Sequence, residues 1–173
     1  MDTSRGSACS PLNSGKRLLD KLLTAVFCLG LCGCSSTAIE QSSALKGTAL
    51  SYFGVYARRS DFEKLMSFYA PDAVLEDIVY GNVATGKTEI RKFLDWNRGT
   101  FSIPDAGLAL VVKDQKITGN TVITRGTFNP FEYNGKAMGP WEFVIWQEFD
   151  DARQIVHQED WINYTPKQIL IGE

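Results

Sequence analysis

From Ile39 to Ala57 the apolar residues Leu45, Ala49, Tyr52, Phe53 and Tyr56 recur at the spacing of one helix face, which predicts a helix with a single buried side. Ser60-Asp61-Phe62-Glu63 has the form of a capping box, and Phe62, Leu65, Met66 and Tyr69 continue at helical intervals until Pro71, expected to end a second helix. Ala73 to Val79 reads as a short strand. After a turn from Gly81 to Gly86, a third helix sets Ile90, Phe93 and Leu94 on one side, and Trp96 and Asn97 close it. Beyond that point the period falls to two. Leu108 to Ile117, Thr121 to Tyr133, Met138 to Phe149 and Gln154 to Asn163 read as strands, separated by Gly119-Asn120, Asn134-Gly135 and the loop Asp150 to Arg153. Three consecutive hairpins make an antiparallel meander, so the expected class is α+β, with three N-terminal helices packed on a curved antiparallel sheet.

The residues before the first helix have a different character. Lys16, Arg17 and Lys21 precede the apolar run Leu22 to Leu31, and small residues follow, the layout of a secretory signal. The run is too short to span a bilayer as a helix. Leu31-Cys32-Gly33-Cys34-Ser35-Ser36 resembles the bacterial lipobox. That likeness implies a lipoprotein signal peptide over 1–33 and a lipidated Cys34, and Ser35 after the cysteine points to the periplasmic face of the outer membrane. An ordinary cleaved signal, or a long leader with a misassigned start at Met1, is the alternative. The remaining organisation is a tether at 34–41, a domain at 42–165 and a tail at 166–173.

Composition narrows the function classes. At 173 residues and 44% hydrophobic content the chain has room for one globular domain after the leader is removed. Cys9, Cys28, Cys32 and Cys34 all fall at or before the lipobox, so the mature domain has no disulfide or cysteine-based metal site. Removing Arg5, Lys16, Arg17, Lys21, Asp2 and Asp20 leaves fourteen basic and eighteen acidic residues, and a mildly acidic domain without a basic run does not look like a nucleic-acid binder.

Gly81 to Thr88 fits G-x-x-x-x-G-K-[ST], the phosphate-cradling loop, between a strand-like and a helix-like run. That loop belongs to parallel sheets with crossover helices, and here no helical pattern separates the four later strands. The only candidate for the companion metal-holding motif, Leu108 to Asp114, is interrupted by Lys113. No nucleotide partner is therefore expected.

Phe68-Tyr69-Ala70-Pro71-Asp72-Ala73-Val74 running into Glu76-Asp77, and then Gly86-x-x-x-Ile90-x-x-Phe93, resemble the nuclear transport factor 2-like superfamily over Leu45 to Asn163. Within it the likeness is closest to the SnoaL-like polyketide cyclases and the ketosteroid isomerases, which implies a cone-shaped fold with a pocket between helices and sheet. Asp77 falls where the isomerases keep their proton-shuttling carboxylate. Phe53 stands where their oxyanion-donating Tyr is expected, with Tyr52 and Tyr56 nearby, and the second donor falls near Ile145 or Trp146. The limonene-epoxide-hydrolase branch matches at Arg125 and Asp160, while Thr127 replaces a carboxylate and Leu75 a water-binding Tyr. Gln158-Glu159-Asp160-Trp161 is similar to the last strand of SnoaL-like cyclases, where a pocket Asp precedes an aromatic residue. The same likeness implies pairing through the outer sheet face, a homodimer.

Plainer roles compete at each position. Asp77 can cap the turn leading to Gly81, and Arg125 stands opposite Asp114 if Gly119-Asn120 is a two-residue turn. His157 is the only histidine, suited to titration near neutrality and insufficient alone for a metal site, and a surface position also suits it. With even hairpin loops, Arg125 and His157 share one sheet face and Asp160 lies on the other; a bulge would reverse this. Trp96, Trp141, Trp146 and Trp161, with Tyr52, Tyr56 and Phe143, supply aromatic surface for a cavity, core or dimer interface. The expectation is a lipid-anchored domain that binds a small apolar molecule and isomerises, cyclises or hydrates it by acid/base catalysis. Asp77 and Asp160 are its catalytic candidates; Tyr52, Tyr56, Trp96, Arg125 and His157 its substrate contacts; and neither cofactor nor metal is expected. The alternative is a non-catalytic module of the cell envelope.

Overall fold

The computed structural model describes residues 33–104 and 107–164; the expectations for 1–32 and for the tail at 166–173 lie outside them. The chain divides into two units, at Glu40/Gln41. Helix α1, Gly33–Arg58, runs from one into the other, so residues 34–41, expected as a tether, have helical backbone. No described helix is long and apolar enough to cross a membrane.

Within Gln41–Glu173, α1 buries Leu45, Ala49, Tyr52 and Phe53 of the face anticipated from its spacing, leaves Tyr56 half-buried, and buries Ala57 as well. Helix α2, Phe62–Ser67, begins one residue later than a Ser60 cap requires, because the Asp61 carboxylate accepts the Lys64 N–H at 2.8 Å. Glu63, expected to complete a capping box, instead pairs with Arg91 at 2.6 Å on the surface.

Pro71 does not end that helix. It lies inside strand β1, Tyr69–Asp77, at the irregularity between Tyr69 and Val74 where pairing with the neighbouring strand shifts register. A residue without an N–H is accommodated where the ladder is already broken. Strand β2, Asn82–Thr85, then pairs antiparallel with β1, so the middle of the Gly81 to Thr88 segment is half of a hairpin rather than a loop with free N–H groups. Gly86, at φ +79, turns the chain into helix α3, Lys87–Phe93.

The second half follows the expected alternation with two breaks. After the short β3, Phe101–Ser102, come β4, Leu110–Thr118, and β5, Thr121–Phe128. Asn129-Pro130 ends β5, and the chain makes a separate hairpin, β6 Phe131–Tyr133 and β7 Lys136–Met138, turned by Asn134 and Gly135, both at positive φ. It then resumes as β8, Trp141–Phe149, and β9, Ile155–Ile162.

The main sheet has the order β2-β1-β9-β8-β5-β4, and β3-β6-β7 form a second, small one. The meander is antiparallel as expected. The sheet as a whole is mixed, because β9 runs parallel to β1. Its inner face carries Leu75, Phe143, Ile145 and Val122 against α1. One position explains much of the packing. A side chain on Gly126 would collide with the Phe143 ring and the Val111 carbonyl, so glycine lets that ring lie across β5, where Phe53 of α1 stacks on it at 5.9 Å.

Candidate active site

Inside this apolar face runs a strip of polar side chains. Parallel pairing sets Asp77 of β1 beside Asp160 of β9, and Leu75 beside Gln158, while Gln147 of β8 is the partner of Gln158 across the next ladder. All four polar members, Asp77, Gln147, Gln158 and Asp160, are buried. Such groups are costly in a core unless they bond one another, as these do save for Gln147 Oε1, which has no partner among the described residues. Gln147 Nε2 and the Tyr69 hydroxyl both donate to Gln158 Oε1 at 2.9 Å, and Gln158 Nε2 donates to Asp160 Oδ1 at 2.8 Å. The Tyr52 and Tyr69 hydroxyls are 2.8 Å apart. The chain of bonds thus starts in α1 and ends on one carboxylate.

The two aspartates are held differently. Asp77 Oδ1 accepts the N–H groups of Val79 and Tyr80 at 3.1 and 3.2 Å, and Oδ2 accepts the Tyr164 hydroxyl at 3.1 Å. Its carboxylate therefore caps the β1–β2 turn. Asp160 is 4% exposed, and its side chain accepts one hydrogen bond, from Gln158. Burial pushes its carboxyl up to about 7; the Gln158 N–H pulls the other way, and the Asp77 charge adds to the rise.

Asp160 opens onto a cavity of about 370 Å³ walled by Tyr56, Phe128, Phe131, Trp141 and Ile162, with Tyr164 beside them. Burial, and next the Asp160 charge, push the Tyr56 hydroxyl up to about 12, against the pull of Arg59. Tyr164 is raised too, by burial first and then by Asp77. Both phenols therefore stay protonated across the neutral range. Trp141 keeps a buried indole N–H without a partner among the described residues. No three His, Cys, Asp or Glu side chains among those residues converge as metal ligands.

The expected residues divide accordingly. Asp160 and Tyr56 line the cavity, and Asp77 reaches it through Tyr164. Tyr52 is fully buried behind the wall, where its ring packs edge-on against Tyr56 and its hydroxyl meets Tyr69 at 2.8 Å and Gln158 Nε2 at 3.4 Å. Trp96 supports the wall, stacked on Tyr56 at 6.0 Å. Arg125 does not line this cavity. Its Cα partner is Asp114 and it lies on the exposed face, as does Thr127, whose hydroxyl bonds Glu142 at 3.0 Å. His157 is on that face as well, with Nε2 3.0 Å from Glu76 Oε1. Strand parity is the reason in both cases: His157 is an odd number of positions from Asp160 along β9, and Arg125 is paired through Val144 with Trp161, which is an odd number away as well. Trp146 and Trp161 follow the same parity and are 38% and 49% exposed. Phe53 and Ile145, where the likeness pointed to oxyanion donors, are apolar core, and Trp146, the alternative to Ile145, is on the outer face. Cys34 falls in the unit before Gln41.

The sequence reading missed Tyr164, the Gln147–Gln158 pair and Arg59. Gln147 carried a usable signal: it stands on the inward parity of its strand between Ile145 and Phe149, so a polar side chain there calls for a partner in the core.

The SnoaL-like domain family model matches residues 50–158. No curated protein matches. Among solved structures, a protein assigned by likeness to the SnoaL-like polyketide cyclases, from Shewanella putrefaciens CN-32, superimposes with a TM-score of 0.57 at 19% identity, over 69% of this chain and 89% of that one. An LEH-like epoxide hydrolase from M. tuberculosis gives 0.58 at 15% identity, over 71% and 85%. A protein of unknown function from Burkholderia pseudomallei K96243, nuclear transport factor 2-like, gives 0.56 at 19%, over 69% and 90%. At such identities these three structures speak for the fold alone. With the family match covering well over half of the sequence, the chain belongs to the SnoaL-like domain family, on a nuclear transport factor 2-like fold.

Proposed function

We propose that the domain encloses a small, largely apolar molecule and moves a proton on it, with Asp160 as the acid/base group. The observation that carries this reading is a single buried carboxyl, titrating near neutrality, on a cavity with a largely aromatic wall. A group with that pKa takes and returns protons at comparable cost. Asp160 removes a proton from carbon next to a carbonyl, the C–H electron pair passes to the carbonyl oxygen, and the same carboxyl returns the proton at another atom. Return to a different carbon is isomerisation; attack of the enolate on an internal carbonyl, with protonation of the new alkoxide, is cyclisation. The Tyr56 hydroxyl, protonated on the cavity wall, is the candidate donor to the developing oxyanion. Asp77, first in line as base on sequence grounds, serves instead to hold the turn and Tyr164 and to raise Asp160.

Two further parts belong to the same proposal. Lipid on Cys34 anchors the domain at the periplasmic face of the outer membrane, and the exposed row Val144, Trp146 and Trp161 on the outer sheet face pairs two copies. The test of the chemistry is a thermal-shift screen with polycyclic ketones, phenols, epoxides and fatty acids, followed by NMR of deuterium exchange from D₂O into any ketone that binds. A ligand at a hundredfold excess over Kd adds about 2.7 kcal/mol to stability. Exchange that falls by roughly 10²–10⁴ in Asp160→Asn supports acid/base catalysis. Binding with no exchange above background leaves a non-catalytic module.

A further inference from the structure

Arg59 follows the last residue of α1 and occupies a backbone conformation unusual for its type. At φ +49 it closes the helix, its N–H donating to the Val55 carbonyl at 3.0 Å, a place ordinarily taken by Gly or Asn. Its half-buried side chain lines the same cavity as Asp160. The guanidinium lies 4.0 Å from the Phe101 ring centroid and 4.9 Å from that of Trp96. Those rings fix the plane of the group and leave its N–H edge for hydrogen bonding. Among the described residues no carboxylate is within salt-bridge distance of it, although Arg91 nearby is paired with Glu63. Asp95, the other acid on the cavity wall, accepts the Asn97 N–H at 3.0 Å. A desolvated arginine without a counter-charge is costly to hold, and burial lowers its pKa accordingly.

We infer that the ligand of this cavity carries a carboxylate, held by Arg59 at the exposed rim while its apolar body runs inward over Phe128 and Trp141 to Asp160. The inference rests on the small-molecule reading of the cavity given above. A planar fork of N–H donors fits a carboxylate through two parallel hydrogen bonds. A dianion such as a phosphate monoester calls for more cationic donors than Arg59 alone supplies, and the other arginine on the wall, Arg98, is turned in part to the backbone, its Nη2 donating to the Lys92 and Phe93 carbonyls. The ligand class is thus an aryl- or alkyl-substituted acid rather than a neutral hydrocarbon skeleton.

Isothermal titration at pH 7.5 tests this on wild type, Arg59→Gln and Arg59→Asn, using 2-naphthylacetate, its methyl ester and 2-acetonaphthone. Asn suits the left-handed backbone, so that variant is expected to melt no lower than wild type and guards against misfolding. Wild type is expected to bind the acid at least about tenfold tighter than the ester, and both variants to bring the two within about twofold by weakening the acid alone. Equal affinity of acid and ester in wild type, or a ratio that survives in the variants, overturns the inference. Binding of the ketone without either naphthylacetate also overturns it while leaving the cavity reading intact, and failure of all three removes both.

Discussion

Replacing Asp160 with Asn is expected to stabilise the protein above neutral pH. The carboxyl rises from an ordinary 3.8 to about 7 in the folded state. A shift of just over three units, at 1.36 kcal/mol each, is about 4 kcal/mol. The sign follows from proton counting. Between the two values the native state binds the extra proton, so the favourable contribution is complete below about 3.8 and is lost as pH rises through about 7. About 3 kcal/mol of the loss falls between pH 4.5 and 8.5. Asn is neutral throughout, and its Oδ1 can still accept from Gln158 Nε2; its new N–H₂ adds a cost of about 1–3 kcal/mol that does not change with pH. Urea unfolding of both proteins across that range isolates the effect, since the two differ at residue 160 alone. The stability difference, variant minus wild type, should climb by about 3 kcal/mol, and by roughly 10 °C in Tm. A difference that stays flat would refute the reasoning, because an ionised Asp160 would then be solvated as well as an unfolded one.

Gly126→Ala forces a methyl into the Phe143 ring and the Val111 carbonyl, and should cost about 1–3 kcal/mol in urea unfolding; an unchanged midpoint would mean that the sheet yields there without strain. Cys34→Ser should move the protein from the detergent phase to the aqueous phase on Triton X-114 partition and remove acyl mass from the intact chain, whereas a wild type lacking that mass would contradict the anchor. Trp146→Glu, on the outer face, should convert a dimer to a monomer in light scattering with little change in Tm, and a monomeric wild type would end the pairing proposal.

Periodicity located the helices and strands because each buries one face, and the burial of Leu45, Ala49, Tyr52 and Phe53 on α1 follows it directly. It also set Arg125 and His157 on the face opposite Asp160, so the substrate contacts expected of them conflicted with strand parity from the start. Distant neighbours were beyond such a reading. Nothing near residue 77 indicates that a parallel partner brings Asp160 alongside, or that a Tyr 87 positions away closes on Asp77. Local chemistry misled where tertiary pairing overrode it. Pro71 looks like a helix stop and sits at a strand irregularity, and the glycine-bracketed segment from Gly81 looks like a loop while its centre pairs with β1.

The small hairpin β6–β7 leaves and rejoins the main sheet at a matched couple, since Phe128 and Trp141 are Cα partners on β5 and β8. Everything from Asn129 to Pro140 is therefore an insertion between two residues already in register. Phe131, Tyr133 and Met138, which it contributes to the cavity, determine what fits there, while Asp160 is fixed by ladders the insertion does not join. The buried carboxyl and this part of the chamber wall are thus specified by separable stretches of the gene. A designer can lengthen, shorten or exchange the excursion to resize the chamber, and Asp160 keeps its address.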